Sequence, residues 1–130
     1  IYLSRSRTIM LKVKTLVRDS SINGKGLIAD EDIPKGTITW EFFPAVDIVL
    51  DGLDLSDVDR KFVKKYSFKD KQTGKWILSY DNDRFTNHSN DPNTGPTPDG
   101  KMIALRDIKQ GEEITSNYYD IDINAKDKLK

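Results

Sequence analysis

The sequence predicts a mainly β fold with short helices, and three observations carry that prediction. Short runs of β-branched and aromatic residues recur along the chain. Clusters of Gly, Pro, Asn and Asp separate them. One stretch, Leu55 to Phe68, carries apolar residues at helical spacing. At 130 residues the chain can bury one modest core and is too short for two. Residues 1–130 are therefore expected to form one domain, with its core over about 12–119.

Ile1 to Ile9 shows little pattern, and Met10 is a candidate start with residues 1–9 upstream of it. Met10-Leu11-Lys12-Val13-Lys14 opens an apolar–polar alternation that runs on to Val17 and suits a strand. Gly24 and Gly26 interrupt it, and Leu27-Ile28-Ala29 resumes as a short apolar strand. Asp32-Ile33-Pro34-Lys35-Gly36 reads as a turn, and Thr37 to Phe43 as a strand that Pro44 ends.

In the helix expected over Leu55 to Phe68, Ser56 suits the cap and Asp57 and Asp59 complement the positive N-terminal end. Val58, Phe62 and Tyr66 share a face there, with Lys61, Lys64 and Lys65 toward the C-terminal end. After the turn Gln72-Thr73-Gly74-Lys75, Trp76 to Tyr80 and Met102 to Leu105 read as strands. Asn87 to Gly100 is rich in Pro, Gly, Asn and Asp and reads as loop. Beyond Tyr119 the chain is polar, charged and free of aromatic residues, so 120–130 is expected to be a mobile tail.

Composition narrows the function classes. Twenty-one basic residues balance twenty-one acidic ones, so no global field favours nucleic acid or an anionic membrane as partner. No apolar run approaches the roughly 20 residues needed to span a bilayer, and a soluble intracellular protein is the expectation, cytoplasmic or, for a viral source, in the host nucleus. With no cysteine and a lone histidine there is no basis for disulfide staples or for Cys- or His-based metal sites.

Three segments carry residue types suited to ligand binding and group transfer. In Asn23-Gly24-Lys25-Gly26-Leu27 the glycines let main-chain N–H and C=O groups approach a ligand without an intervening Cβ, although an ordinary hairpin turn uses the same residues. Arg84-Phe85-Thr86-Asn87-His88-Ser89-Asn90-Asp91-Pro92-Asn93 is a dense run of amide, imidazole and ring side chains. Gly111-Glu112-Glu113-Ile114-Thr115-Ser116-Asn117-Tyr118 ends in a phenol, whose O–H can hydrogen-bond while its ring walls a dry channel.

In this order the three segments resemble the SET-domain protein lysine methyltransferases, in the minimal form that lacks cysteine-rich flanks. The resemblance covers roughly Lys12 to Tyr119 and implies the β-clip fold with a C-terminal pseudoknot, S-adenosylmethionine as cofactor, and methyl transfer to the ε-amine of a protein lysine by in-line displacement. It places Gly24, Lys25 and Gly26 on the methionine part of the cofactor, Asn87 on its amino group and the main chain around His88 on its adenine, with Arg84 and Asn93 fixing the loop and Phe85 and Pro92 packing. It makes Tyr118 catalytic and a cofactor contact, with Tyr66 as a second channel residue and Tyr80 as a weaker candidate. The His88 side chain is expected to be structural and not a general base, and Tyr119 is expected to point away along a strand.

Such chemistry needs no metal and no dedicated base. A free lysine amine titrates near pH 10.4, so about 3 to 4 pH units separate it from a usable lone pair at neutral pH. A neighbouring sulfonium and desolvation among rings both disfavour the ammonium form. The substrate implied is a lysine of a histone or other basic protein, with no direct nucleic-acid or membrane contact. A homodimer, or the bound substrate, would supply the wall that larger relatives build from a C-terminal aromatic segment, which 120–130 lacks. The competing reading is a non-catalytic β-clip module that binds peptide or cofactor without turnover.

Overall fold

The structure, a computed structural model, describes residues 11–41, 48–49, 57–79 and 81–129. Three small sheets enclose one core. The first has the order β1-β2-β10-β7, from Thr15–Asp19, Lys25–Ala29, Glu113–Ser116 and Asn87–His88. The second, β3-β9-β8, uses Ile38–Glu41, Lys101–Ala104 and Thr94–Pro96. The third, β4-β6-β5, uses Ile48–Val49, Trp76–Leu78 and Phe68–Lys69. Helices are short: α1 Asp57–Tyr66, a 3-10 turn Asn82–Phe85, α2 Tyr118–Ile121 and α3 Ala125–Lys128. Among the described residues no helix is long and apolar enough to cross a membrane.

The core gathers Leu11, Val13, Leu27, Ala29, Ile33, Trp40, Ala104, Ile108 and Ile114, with Phe68 and Met102 packed against it. Leu27 is fully buried, and truncating such a side chain to alanine typically costs about 2–5 kcal/mol. β2 is buried over Gly26–Ala29 because it has a neighbour on each side, β1 and β10, which explains why it reads as a continuous apolar run and not as an alternation.

Element positions depart from the sequence expectation in informative places. The first regular strand is Thr15–Asp19, and Leu11 contributes only an isolated bridge to Trp40. The helix ends at Tyr66, and Phe68, expected as its last residue, starts β5 by pairing with Ile77. Ser56, Phe43, Pro44 and Tyr80 lie outside the described residues. The loop expected over Asn87 to Gly100 holds two short strands, since β7 pairs with β10 and β8 with β9. Tyr118 and Tyr119 are helical, because Asn117 caps α2 by accepting the Tyr119 N–H at 3.0 Å. Residues of the expected tail form α3, where Ala125 is buried, and Asp122 ahead of it is buried too.

The decisive topological feature is β10. It runs antiparallel to β2 (Ile114 opposite Leu27) and parallel to β7 (Thr115 opposite Asn87, Ser116 opposite His88). Parallel neighbours cannot be joined by a tight turn, so a long excursion separates them in sequence while pairing brings the second and third motifs together. Asn93 then clamps the loop. Its Nδ2 donates to the Glu113 carbonyl at 2.8 Å and its Oδ1 accepts the Thr115 N–H at 2.8 Å.

Candidate active site

The glycine turn and the Asn87 loop meet directly. The Asn87 side chain is buried, and its Nδ2 lies 3.0 Å from the Asn23 carbonyl, 3.1 Å from that of Lys25, 3.1 Å from Ser20 Oγ and 2.9 Å from Glu113 Oε2. Ser20 organises the turn beneath it: its Oγ accepts the Ile22 N–H at 2.9 Å and its hydroxyl reaches Glu113 Oε1 at 2.7 Å. Gly24 has φ +51 and no atom within 4 Å of where a Cβ would stand, so conformation and not crowding calls for glycine there. Gly26 is the opposite case: a Cβ would lie 2.6 Å from Glu113 Oε2 and 3.0 Å from Ser20 Cβ. The Lys25 side chain points to solvent and pairs with Asp19 at 2.5 Å.

His88 and Tyr118 form the next link. His88 Nδ1 accepts the Tyr118 N–H at 3.1 Å while its Nε2 faces Asn90 Oδ1 at 2.8 Å, which assigns the proton to Nε2. The two rings stand edge to face with centroids 5.3 Å apart. The Tyr118 hydroxyl donates to the Thr86 carbonyl at 2.7 Å. Burial, followed by the negative charges of Asp83, Asp122 and Glu113, pushes its phenol up to about 12.

On its far side Tyr118 lines a cavity of about 490 Å³. Tyr66, Arg84, Thr86 and Ser116 line it too, whereas Gly24, Lys25, Gly26, Asn87 and His88 do not. Phe85 stands edge-on to Tyr66 at 5.7 Å, Phe62 packs on Tyr66 at 4.9 Å, and Arg84 donates to the Asp81 carbonyl at 2.8 Å. The arrangement is two-sided: a hydrogen-bonded turn and amide loop on one side, an aromatic cavity on the other, and Tyr118 with His88 between them. The expectation of one cavity shared by all three segments thus becomes two adjoining regions that meet at Tyr118.

The model of the family described as "SET domain" matches residues 24–119. The chain belongs to the SET-domain family. Members are typically protein lysine methyltransferases that use S-adenosylmethionine. Among solved structures, it is similar to a humanized mutant of the Chaetomium thermophilum Polycomb Repressive Complex 2 bound to the inhibitor GSK126, with 28% identity, 88% of this chain and 16% of that chain covered, and a TM-score of 0.63. A second similar structure is ctPRC2 in an autoinhibited conformation bound to S-adenosylmethionine, with 28% identity over 90% of this chain and 16% of that one, at a TM-score of 0.64. A third is an active polycomb repressive complex 2 in the basal state, 30% identical over 83% and 15% of the two chains, with a TM-score of 0.61. The SET-domain chain therefore spans about one sixth of the length of these relatives. No curated protein matches it.

Sequence reasoning missed five contributors. Ser20 and Glu113 hold the turn against Asn87, and the second Glu of Gly111-Glu112-Glu113, flanking an apolar strand, was the signal available for one of them. Thr86 meets the Tyr118 hydroxyl through its main-chain carbonyl and so leaves no side-chain signature of that contact. Asp122 and Lys128, from the polar tail, reach the cavity.

Proposed function

We propose that this SET domain transfers the methyl group of S-adenosylmethionine to the ε-amine of a protein lysine. The observation that carries the reading is the placement of Tyr118, whose main chain is fixed by His88, whose hydroxyl is fixed by Thr86, and whose ring faces the cavity. One group thereby touches both the amide-lined region and the cavity that an alkylamine would enter.

The donor set suits the cofactor. An amide nitrogen carries two protons, yet four oxygen acceptors surround Asn87 Nδ2, so acceptor capacity is left over for an ammonium such as the one on the methionine part. Asn87, the main chain of Asn23 to Gly26 and the main chain at His88 would hold it. Bound there, S-adenosylmethionine supplies a methyl group on a positively charged sulfur.

The residues of the chain do the rest by position and polarity. The raised Tyr118 phenol stays protonated at neutral pH, donates to Thr86, and keeps its lone pairs for an amine N–H. Tyr66 lines the cavity with Phe85 edge-on behind it, giving the amine an apolar wall that disfavours its ammonium form. Positioning of this kind provides most of the rate when the electrophile is already reactive. A similar structure that holds S-adenosylmethionine supports the assignment.

Calorimetric titration with S-adenosylmethionine, followed by mass spectrometry of a lysine-peptide pool, tests the proposal. Saturable binding and methylated product are expected, and binding without transfer leaves the non-catalytic module as the reading. Tyr118→Phe is expected to lower turnover at least about 100-fold with cofactor affinity retained, as loss of positioning predicts. An unchanged rate removes the hydroxyl from the mechanism.

A further inference from the structure

One cation inside the cavity has no part in that reaction. α3 carries Lys128 back toward β5, so that its Nζ donates to the main-chain carbonyl of Ser67, sits 3.2 Å from Asp122 Oδ2 and lies 5.7 Å from the centroid of the Tyr118 ring. The Lys128 side chain is 14% exposed, and Asp122 is 1% exposed. Lys128, Asp122, Ser67, Tyr66 and Tyr118 all line the same cavity.

These contacts match what a substrate lysine would need there. Ser67 follows Tyr66 in sequence, so the ammonium is gripped between the main chain beside one cavity tyrosine and the ring face of the other. A carbonyl, a carboxylate and an aromatic face together form an ammonium-binding set. We propose that Lys128 is a cis occupant of the amine passage, docked where a peptide lysine would dock, and that α3 moves aside before a peptide enters. This rests on the reading of Tyr66 and Tyr118 as the walls of that passage.

α3 is short enough to leave while the residues before it stay tied to β5, where the Ile123 N–H donates to the Lys69 carbonyl and Asp122 Oδ1 accepts the Lys69 N–H. It has four residues, its cap residue Asn124 makes no side-chain cap hydrogen bond, and Ala125 is its buried apolar residue. Burial also pulls the Lys128 amine below its ordinary range against the opposing effect of Asp122, so the ion pair sits in a site where charge is costly to keep. Short, sparsely anchored elements are the ones that open locally.

Two measurements on the whole chain test the idea. Reductive methylation with formaldehyde and borohydride, read by peptide mass spectrometry, reports exposure of each amine without any enzymatic step. Lys128 is expected to react at least about tenfold more slowly than exposed Lys126, as expected of an amine that reacts only through local opening. Equal rates overturn occupancy. For Lys128→Met, removal of a competing internal ligand is expected to lower KM for a lysine-peptide pool several-fold with kcat unchanged. Peptide KM unchanged or raised in a folded variant also overturns it. If neither protein methylates any peptide, fluorescence anisotropy with the same pool replaces KM. Protection of Lys128 together with tighter peptide binding by the variant then upholds the plug while the transfer reading fails.

Discussion

The two sides of Tyr118 are built in different ways. On the turn side, Ser20, Asn87, Asn93, Glu113 and Thr115 hold one another through short polar contacts, several of them buried. On the cavity side, Tyr66 meets Phe85 edge to face, and Lys128 of α3 reaches over the Tyr118 ring and pairs with Asp122. Hydrogen-bond networks have one good geometry, whereas ring contacts tolerate sliding. The contrast suits a site whose donor pocket must stay fixed while its other mouth admits side chains.

The comparison breaks most severely at Asn93. Its side chain is the partner of two main-chain groups of β10, and Asn93→Ala leaves the buried Thr115 N–H and the part-buried Glu113 carbonyl without it. Each such orphan costs about 1–3 kcal/mol, so a loss of roughly 2–5 kcal/mol is expected in urea unfolding. A loss below about 1 kcal/mol would mean that β10 does not depend on this clamp.

A smaller effect is expected at Gly26. Gly26→Ala forces the Glu113 carboxylate away and with it the contacts to Ser20 and Asn87, at a cost of about 1–3 kcal/mol and with weaker S-adenosylmethionine binding by calorimetry. A double-mutant cycle sharpens the point. With Glu113→Ala already present, only the Ser20 Cβ remains close to the same methyl, at 3.0 Å, and the stability cost of Gly26→Ala should shrink. An equal cost in both backgrounds would assign the glycine to the close approach of Ser20 instead.

These residues also show what the sequence could disclose. Asn87, Asn93 and Tyr118 stand in dense motifs, and β2, β3, β6 and β9 follow from short apolar and β-branched runs bounded by turn residues. The parallel pairing of β7 with β10 was not legible, because a two-residue strand of Asn and His has no hydrophobic pattern and gains its partner from distant chain. Phe68 looked helical because the i, i+4 face of Phe62 and Tyr66 ran toward it, yet pairing with Ile77 outweighed that propensity. The tail misled for a related reason: its few apolar residues are too sparse to signal a helix, and Ala125 with the Lys128–Asp122 pair anchors it all the same.

The gentlest probe of the two-sided site is its phenol. Folding raises the Tyr118 group to about 12, with burial as the main cause. Below pH 10 the folded and unfolded chains both keep the proton, so its contribution to stability is fully present there. As pH rises from 10 toward 12 the unfolded chain ionises first, and up to about 2 kcal/mol is lost across that window. Phenolate absorbance should therefore show one phenol displaced upward in the native protein relative to the urea-denatured one, and Tyr118→Phe should remove that displaced phenol. If every native phenol titrates near pH 10, solvent reaches the Tyr118 hydroxyl, and the boundary between the amide-lined region and the cavity is open to water.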